Sequence, residues 1–286
     1  MSGQTKEIAE CRRYVCGRNS MKMTEIPGKI REITGDRPFQ TDETGMSDSE
    51  VILFDDMVLK VQAADRMGEA ANEYRMMQWL QGKLPVPKVL ACEEENGKNW
   101  LLMTRLPGKM LCDERYMKNP ELLLQVLTES LNLLWAVDIS HCPCVNNLDR
   151  KLQMARYNVE NGLVDMDNVE PDTFGEGGFQ SPGHLLEWLE VNRPEEEIVL
   201  SHGDFCLPNI FANEEKPGGL IDLGKTGTAD KWLDIALAFR SLSHNYSGRY
   251  GGKVYESFRA ERLFEKLGLE PDYEKIRYYI LLDELF

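Results

Sequence analysis

The apolar residues of this 286-residue chain change their spacing once, near residue 105, and that change limits the possible architecture more than any other feature. Upstream, the runs VILF (51–54), MVLKV (57–61), KVLAC (88–92) and NWLLMT (99–104) are short and separated by polar turns, Asp55-Asp56 and EEENGK. Such runs read as two hairpins. Between them, in EAANEYRMMQWLQGK (69–83), Ala70, Tyr74, Met77 and Leu80 recur at helical spacing, and Gly82 with Pro85-Val-Pro87 stops the helix. Downstream the chain reads as mostly helical, over 121–137, 149–162, 184–191, 230–246, 256–267 and 272–285. The expected fold class is therefore α+β: a four- or five-stranded antiparallel sheet with one helix, then a mainly helical part. That order gives two lobes with a ligand-binding cleft between them. The expected boundaries are a poorly ordered extension over 1–20, an N-terminal lobe over 21–105 and a C-terminal lobe over 106–286, with RLPGK (105–109) as the connector.

The segment VLSHGDFCLPNIFANEEKPGGLIDLG (199–224) carries the chemistry. VLS, NIF and LIDL read as buried strands separated by polar turns, and strand ends are rigid places from which to aim side chains. Three polar groups sit beside these runs: Asp204, Asn209 five residues later, and Asp222. Two oxygen ligands and one free carboxylate suit Mg²⁺, which takes few protein ligands and completes its shell with water and phosphate oxygens. The free carboxylate is then placed to accept a proton from a substrate hydroxyl, as phosphoryl transfer requires. Separately, HGD and DLG are ordinary turn tripeptides; their order, with Asn209 between, makes the pattern specific. His202 is expected to brace the Asp204 turn and Cys206 to be filler.

A second pair lies upstream. Lys60 is the one charged residue of its strand, and Glu73 falls at the edge of the apolar stripe of the 69–83 helix. A carboxylate at such an edge requires a cation, and a strand lysine held by a helix glutamate is how kinases grip nucleotide phosphates. By contrast, GLIDLGKT (219–226) fits the phosphate-loop pattern G-x-x-x-x-G-K-[ST] in letters only. Its middle residues read as a strand, and GTADK after it as a loop, where the motif demands a loop opening a helix.

Composition narrows the partners. A net charge of −15, from 48 acidic and 33 basic residues, argues against nucleic acid, and it suits a polycationic substrate. The first thirty residues have no signal-peptide pattern and no apolar run approaches the roughly eighteen residues of a membrane span, so no membrane association is expected. Seven cysteines with no paired framework fit a reducing, cytoplasmic setting. No obligate protein partner is indicated. The acidic, Gly- and Pro-rich segment 165–183 is long for a structureless loop, and long loops are usually functional or disordered. The closing IRYYILLDELF is unusually apolar for a terminus and reads as tucked in, with Asp283, Glu284 and the terminal carboxylate as fixed negative charge.

With these residues in hand, the chain resembles the aminoglycoside phosphotransferases, and WLQGKLPVPKVL, SHGDFCLPNIF, GGLIDLGKTGTADKWLDIA and YYILLDELF resemble the 3′-phosphotransferase branch, from about Thr44 to Phe286. The resemblance implies a protein-kinase-like two-lobed fold and Mg-dependent transfer of the γ-phosphate of ATP or GTP to the 3′-hydroxyl of an aminoglycoside. It implies that Lys60 contacts phosphates and Glu73 orients it. Asp204 is the implied catalytic carboxylate, and Asn209 and Asp222 the metal ligands. Ser47 matches the nucleotide-loop serine, and the linker Met103, Thr104, Arg105 and Leu106 is expected to meet adenine through its backbone. Val58 stands where some relatives carry a stacking aromatic residue. Asp167, Glu170, Asp283, Glu284 and Phe286 are the implied drug contacts. Two other readings share the motifs: a kinase of another hydroxylated cation such as choline, and a non-catalytic pseudokinase. The first wants an aromatic cage for its ligand, and the second should have lost one of Lys60, Asp204, Asn209 and Asp222.

Overall fold

The structure is a computed structural model that describes residues 26–42, 49–64, 68–249 and 252–286; Ser47 and the expected extension over 1–20 lie outside them. Helix α1 (Gly28–Thr34) follows Pro27 and packs Ile30 inward. Strands β1 (Gln40–Asp42), β2 (Glu50–Leu53) and β3 (Met57–Ala63) lead to helix α2 (Glu69–Leu80), and β4 (Val89–Glu95) and β5 (Lys98–Thr104) complete the sheet. All five strands are antiparallel, in the order β1-β2-β3-β5-β4. Strand alternation sends Leu59 and Val61 into a core with Ile26, Ile30, Ile52 and Leu102. It sends Val58 and Lys60 to the opposite face. There Met76, Met77 and Leu80 of α2 join a second core with Leu101 and Met103.

Strand β6 (Lys109–Met110), helix α3 (Glu114–Met117), α4 (Pro120–Trp135), α5 (Leu148–Glu160) and α6 (Pro182–Val191) follow. Asn119, Asn147 and Ser181 each accept a backbone N–H to cap the last three. Next come β7 (Ile198–Ser201), β8 (Ile210–Asn213), β9 (Lys216–Leu220), β10 (Gly227–Asp230), α7 (Lys231–Ser247), α8 (Arg262–Leu267) and α9 (Tyr273–Asp283). Leu123, Leu127 and Leu131 of α4 meet Leu200, Phe205, Leu207 and Ile210, so the polar loops of this region sit on a packed floor. Tyr278, Tyr279 and Leu282 of α9, with Leu285, pack on α5, α6 and α7. Among the described residues no helix is long and apolar enough to cross a membrane.

Three expectations are corrected. The LIDL run is not one strand: β9 ends at Leu220, Asp222 is left-handed at φ 61°, and Leu223–Lys225 form a 3-10 turn. GTAD is not a loop but β10, paired antiparallel with β7. The phosphate-loop pattern therefore spans a strand end and a 3-10 turn and leads into a strand, which rules it out on a different ground from the one expected. The helix expected over 256–267 shrinks to α8, because Phe258 stacks on Tyr246 with ring centres 3.6 Å apart and holds the preceding segment as turns. Residues 165–181 form a loop without helix or strand, pinned by a β-bridge between Phe174 and Phe179 and by Phe179 packing edge-on against Trp188 at 5.7 Å.

Candidate active site

Lys60 is central on β3, between β2 and β5, and only 8% exposed. Its Nζ donates to Glu73 Oε2 of α2 at 2.8 Å and to Asp222 Oδ1 at 2.6 Å. Burial alone pulls the ammonium pKa down, but the two carboxylates outweigh it and Lys60 stays charged. Burial likewise favours a neutral Asp222, and Lys60 reverses this, holding the Asp222 pKa below its ordinary value. Strand, helix and the 220s turn thus meet at one ammonium group.

Asp204 and Asn209 form the second half of the site. Asn209 Nδ2 donates to the Asp204 main-chain oxygen and to Asp204 Oδ2, both at 3.0 Å. The amide nitrogen is therefore spent within the loop and the amide oxygen is its remaining polar end. The Asn209 carbonyl accepts from Ile221 N at 3.0 Å, which ties this loop to the residue before Asp222. His202 is a brace: its Nδ1 accepts from Asp204 N at 3.3 Å and its Nε2 meets the Ile221 carbonyl at 2.9 Å. The single tautomer that satisfies both contacts carries its proton on Nε2. Burial and the neighbouring Asp204 push the Cys206 thiol well above its usual pKa, which disfavours the thiolate.

Below these loops lies Asp234 of α7, fully buried. It accepts from Ser201 Oγ at 2.9 Å and from the amides of His202 and Gly203 at 3.2 and 3.1 Å. Asn72 of α2 donates to the carbonyls of Gly224 and Thr226, and Asn146 donates to that of Lys225. These three residues carried no signal in the sequence reading, because each acts on backbone atoms far away in the chain. Lys225 was also missed, although it directly follows DLG. Burial lowers its pKa, but Asp283, Asp204, Glu69 and Asp222 outweigh burial and keep it cationic.

The linker residues divide. Met103 is buried in β5, Thr104 N donates to Lys88 O at 2.9 Å and Arg105 N donates to Asp56 O at 3.0 Å. The Thr104 and Arg105 amides are therefore already engaged. Leu106 lies against Gly219, and Val58 pairs with Met103 across the sheet.

At the far end, the expected drug contacts converge with cations of the chain. Glu170 N donates to Glu284 Oε2 at 2.8 Å, and Glu170 itself pairs with Arg249 and, at 3.0 Å, with His244. Arg240 pairs with Asp283 and stands 3.7 Å from Glu284. Burial dominates at Glu284 and pushes its pKa up to about 7. Asp167 is exposed, its amide donating to Asp165, and belongs to none of these pairs. The ring of Phe286 lies beneath two ammoniums, Lys151 at 5.4 Å and Lys225 at 5.7 Å.

Sheet, helix and paired loops of this kind define a phosphotransferase of the kinase-like fold, and residues 39–279 match the phosphotransferase enzyme family. Within that class the chain belongs to the aminoglycoside 3′-phosphotransferases. It is 41% identical to the Enterococcus faecalis aminoglycoside 3′-phosphotransferase, over all of this chain and 98% of the relative. It is 40% identical to the Staphylococcus aureus enzyme of that name, over 86% of this chain and 92% of the relative. Among solved structures, an aminoglycoside-3′-phosphotransferase of type VIII superposes with a TM-score of 0.74 at 26% identity, covering 90% of this chain and 97% of that one. An aminoglycoside phosphotransferase from Streptomyces rimosus, solved with ADP and streptomycin, has the same fold, with a TM-score of 0.71 at 23% identity and 90% and 95% coverage.

Proposed function

We propose that this protein transfers the γ-phosphate of ATP or GTP to the 3′-hydroxyl of an aminoglycoside, inactivating the drug, in a reaction that needs Mg²⁺. The observation that carries the reading is the double closure of the site: Asp204 locked to Asn209, and Asp222 locked through Lys60 to Glu73. The donor set fits magnesium, since Asn209 has its amide oxygen left over and Asp222 is a carboxylate kept charged by Lys60. Bound there, the ion would neutralise charge on the phosphate oxygens. Lys60, kept cationic between its two carboxylates, holds the non-transferred phosphates, and Glu73 fixes its direction. Asp204 accepts the proton of the attacking hydroxyl, and its place is set by the Asn209 amide and the His202 brace. Lys225 adds a fixed positive charge beside Asp204 and Asp222, where the transferred group gathers negative charge.

On this reading the lobes divide near Arg105, nucleotide binding belongs to residues 21–105, and catalysis and drug binding belong to 106–286. With the Thr104 and Arg105 amides engaged, adenine is met by linker carbonyls and the Leu106 amide. Asp167, Glu170, Asp283, Glu284 and Phe286 form the drug side. A cytoplasmic setting fits the scattered thiols, with no nucleic-acid, membrane or protein partner required. The test is a coupled phosphorylation assay with purified protein, ATP or GTP and magnesium across an aminoglycoside panel, with the product mapped by NMR. Phosphate on the 3′-oxygen is the expected result; no turnover of any 3′-hydroxylated drug would overturn it.

A further inference from the structure

The carboxylates expected to meet the drug, Glu170, Asp283 and Glu284, are already supplied with positive charge by the chain. Both oxygens of Glu170 are occupied, Oε2 by the Arg249 guanidinium and Oε1 by His244 Nε2 at 3.0 Å. The Arg249 and His244 groups also touch each other, at 2.9 Å. Asp283 is held by Arg240, which also faces Glu284 at 3.7 Å. Burial lowers the His244 pKa despite Glu170, with Arg249 and Arg240 adding to the fall, so the fixed cation here is Arg249. His244 lies in the last turn of α7, and Arg249 follows its left-handed Gly248 cap. Glu170 lies 79 positions before Arg249, and His244 five positions before it.

We propose that Arg249 and His244 determine specificity, by occupying Glu170 so that it discriminates against a substrate ammonium and favours a hydroxyl at the same place. The inference rests on the aminoglycoside reading above and deepens it. An ammonium that approaches Glu170 finds both carboxylate oxygens already paired. To bind, it must share or displace a charge-assisted pair, whereas a hydroxyl needs only one neutral hydrogen bond. The acidic surface is then selective rather than a uniform sink for amines: Asp167 is open, Asp283 is held by Arg240, and Glu170 is guarded.

Two pairs of drugs isolate the effect, because each pair differs in one position, an amine in one member and a hydroxyl in the other. They are neomycin with paromomycin (6′), and kanamycin B with kanamycin A (2′). The measurement is the amine-to-hydroxyl ratio of kcat/KM for each pair in the wild type, R249Q, H244Q and R249Q/E170Q. Removing the cation should raise the ratio of at least one pair about threefold or more in R249Q, the scale of a partly exposed charge pair. H244Q should move it less, and the added E170Q should return it toward the wild-type value. A purely structural loosening of the loop would slow both members of a pair alike and leave the ratio unchanged. Ratios in R249Q within twofold of wild type for both pairs would overturn the proposal. If the wild type phosphorylates none of the four drugs, the aminoglycoside reading fails instead.

Discussion

Gly203 and Lys225 approach so closely that a Cβ on the glycine would stand 2.2 Å from the lysine carbonyl oxygen. Gly203 also has φ +81°, where a side chain is strained whatever the space. The contact welds the turn carrying Asp204 to the turn carrying Asp222, backbone against backbone. Gly203→Ala should therefore cost about 2 kcal/mol or more, through strain and displacement of backbone. Thermal unfolding should show a clear drop in Tm, and kcat should fall because the two turns part. A mutant with wild-type Tm and turnover would mean the approach is not tight in solution.

Asp204→Ala removes the proton acceptor and one of the two partners of the Asn209 amide, while the Lys60 cluster stays whole. Turnover should drop 10²–10⁴-fold, the usual contribution of a positioned acid–base group. Nucleotide affinity by fluorescence titration should change little. Retention of more than about a tenth of wild-type kcat would remove Asp204 from the chemistry.

Asp222→Asn takes an anionic oxygen from a hard dication and a partner from Lys60. The magnesium concentration for half-maximal activity should rise and kcat should fall. Overlapping magnesium titrations for mutant and wild type would exclude Asp222 as a ligand.

Replacing Lys60 by Met should raise the KM for ATP and lower kcat, while drug binding to the nucleotide-free enzyme stays within about threefold, as calorimetry can show. Glu73 is only 1% exposed and loses its cation, so a fall in stability is expected too. A large loss of drug affinity at a temperature where the mutant is folded would place Lys60 on the wrong side of the cleft.

Glu284 gives a pH signature. Burial comes first among the causes that raise its folded pKa from near 4.5 to about 7, with the Glu170 N–H and Arg240 opposing. The folded state holds this proton more tightly than the unfolded chain. The stabilising contribution is thus complete below about 4.5 and lost as pH rises through about 7. Glu284→Gln stays neutral throughout, so wild-type stability relative to the mutant should decline from pH 5 to pH 8. Urea unfolding across that window checks it, and a flat difference would contradict the shift.

Much of this was legible in the chain, for identifiable reasons. Leu59, Lys60 and Val61 announce a strand with one polar side chain facing its opposite side, and Ala70, Met77 and Leu80 announce the helix that faces it. Turn residues at Asp55-Asp56 and Asn96-Gly97 mark the hairpins. Local pattern failed where tertiary contacts decide the conformation. Gly227–Asp230 has no apolar alternation, yet it is a strand because β7 offers it an edge. Asp222 sits in an apolar run but turns left-handed, which no propensity reveals. The counter-charges on Glu170 were invisible because Arg249 lies beyond α7 and the two meet only after folding.

The attachment of α2 has a regulatory consequence. Its Asn72 grips two carbonyls of the 220s turn, its Glu73 shares Lys60 with Asp222 and accepts the Leu223 amide. A helix swung outward to switch the enzyme off would have to break three hydrogen bonds and a buried ion pair together. At about 1 kcal/mol or more for each, that is too much for a weak effector to supply. An inactivating displacement of α2 would therefore have to be driven by a ligand that makes strong contacts of its own with the displaced state.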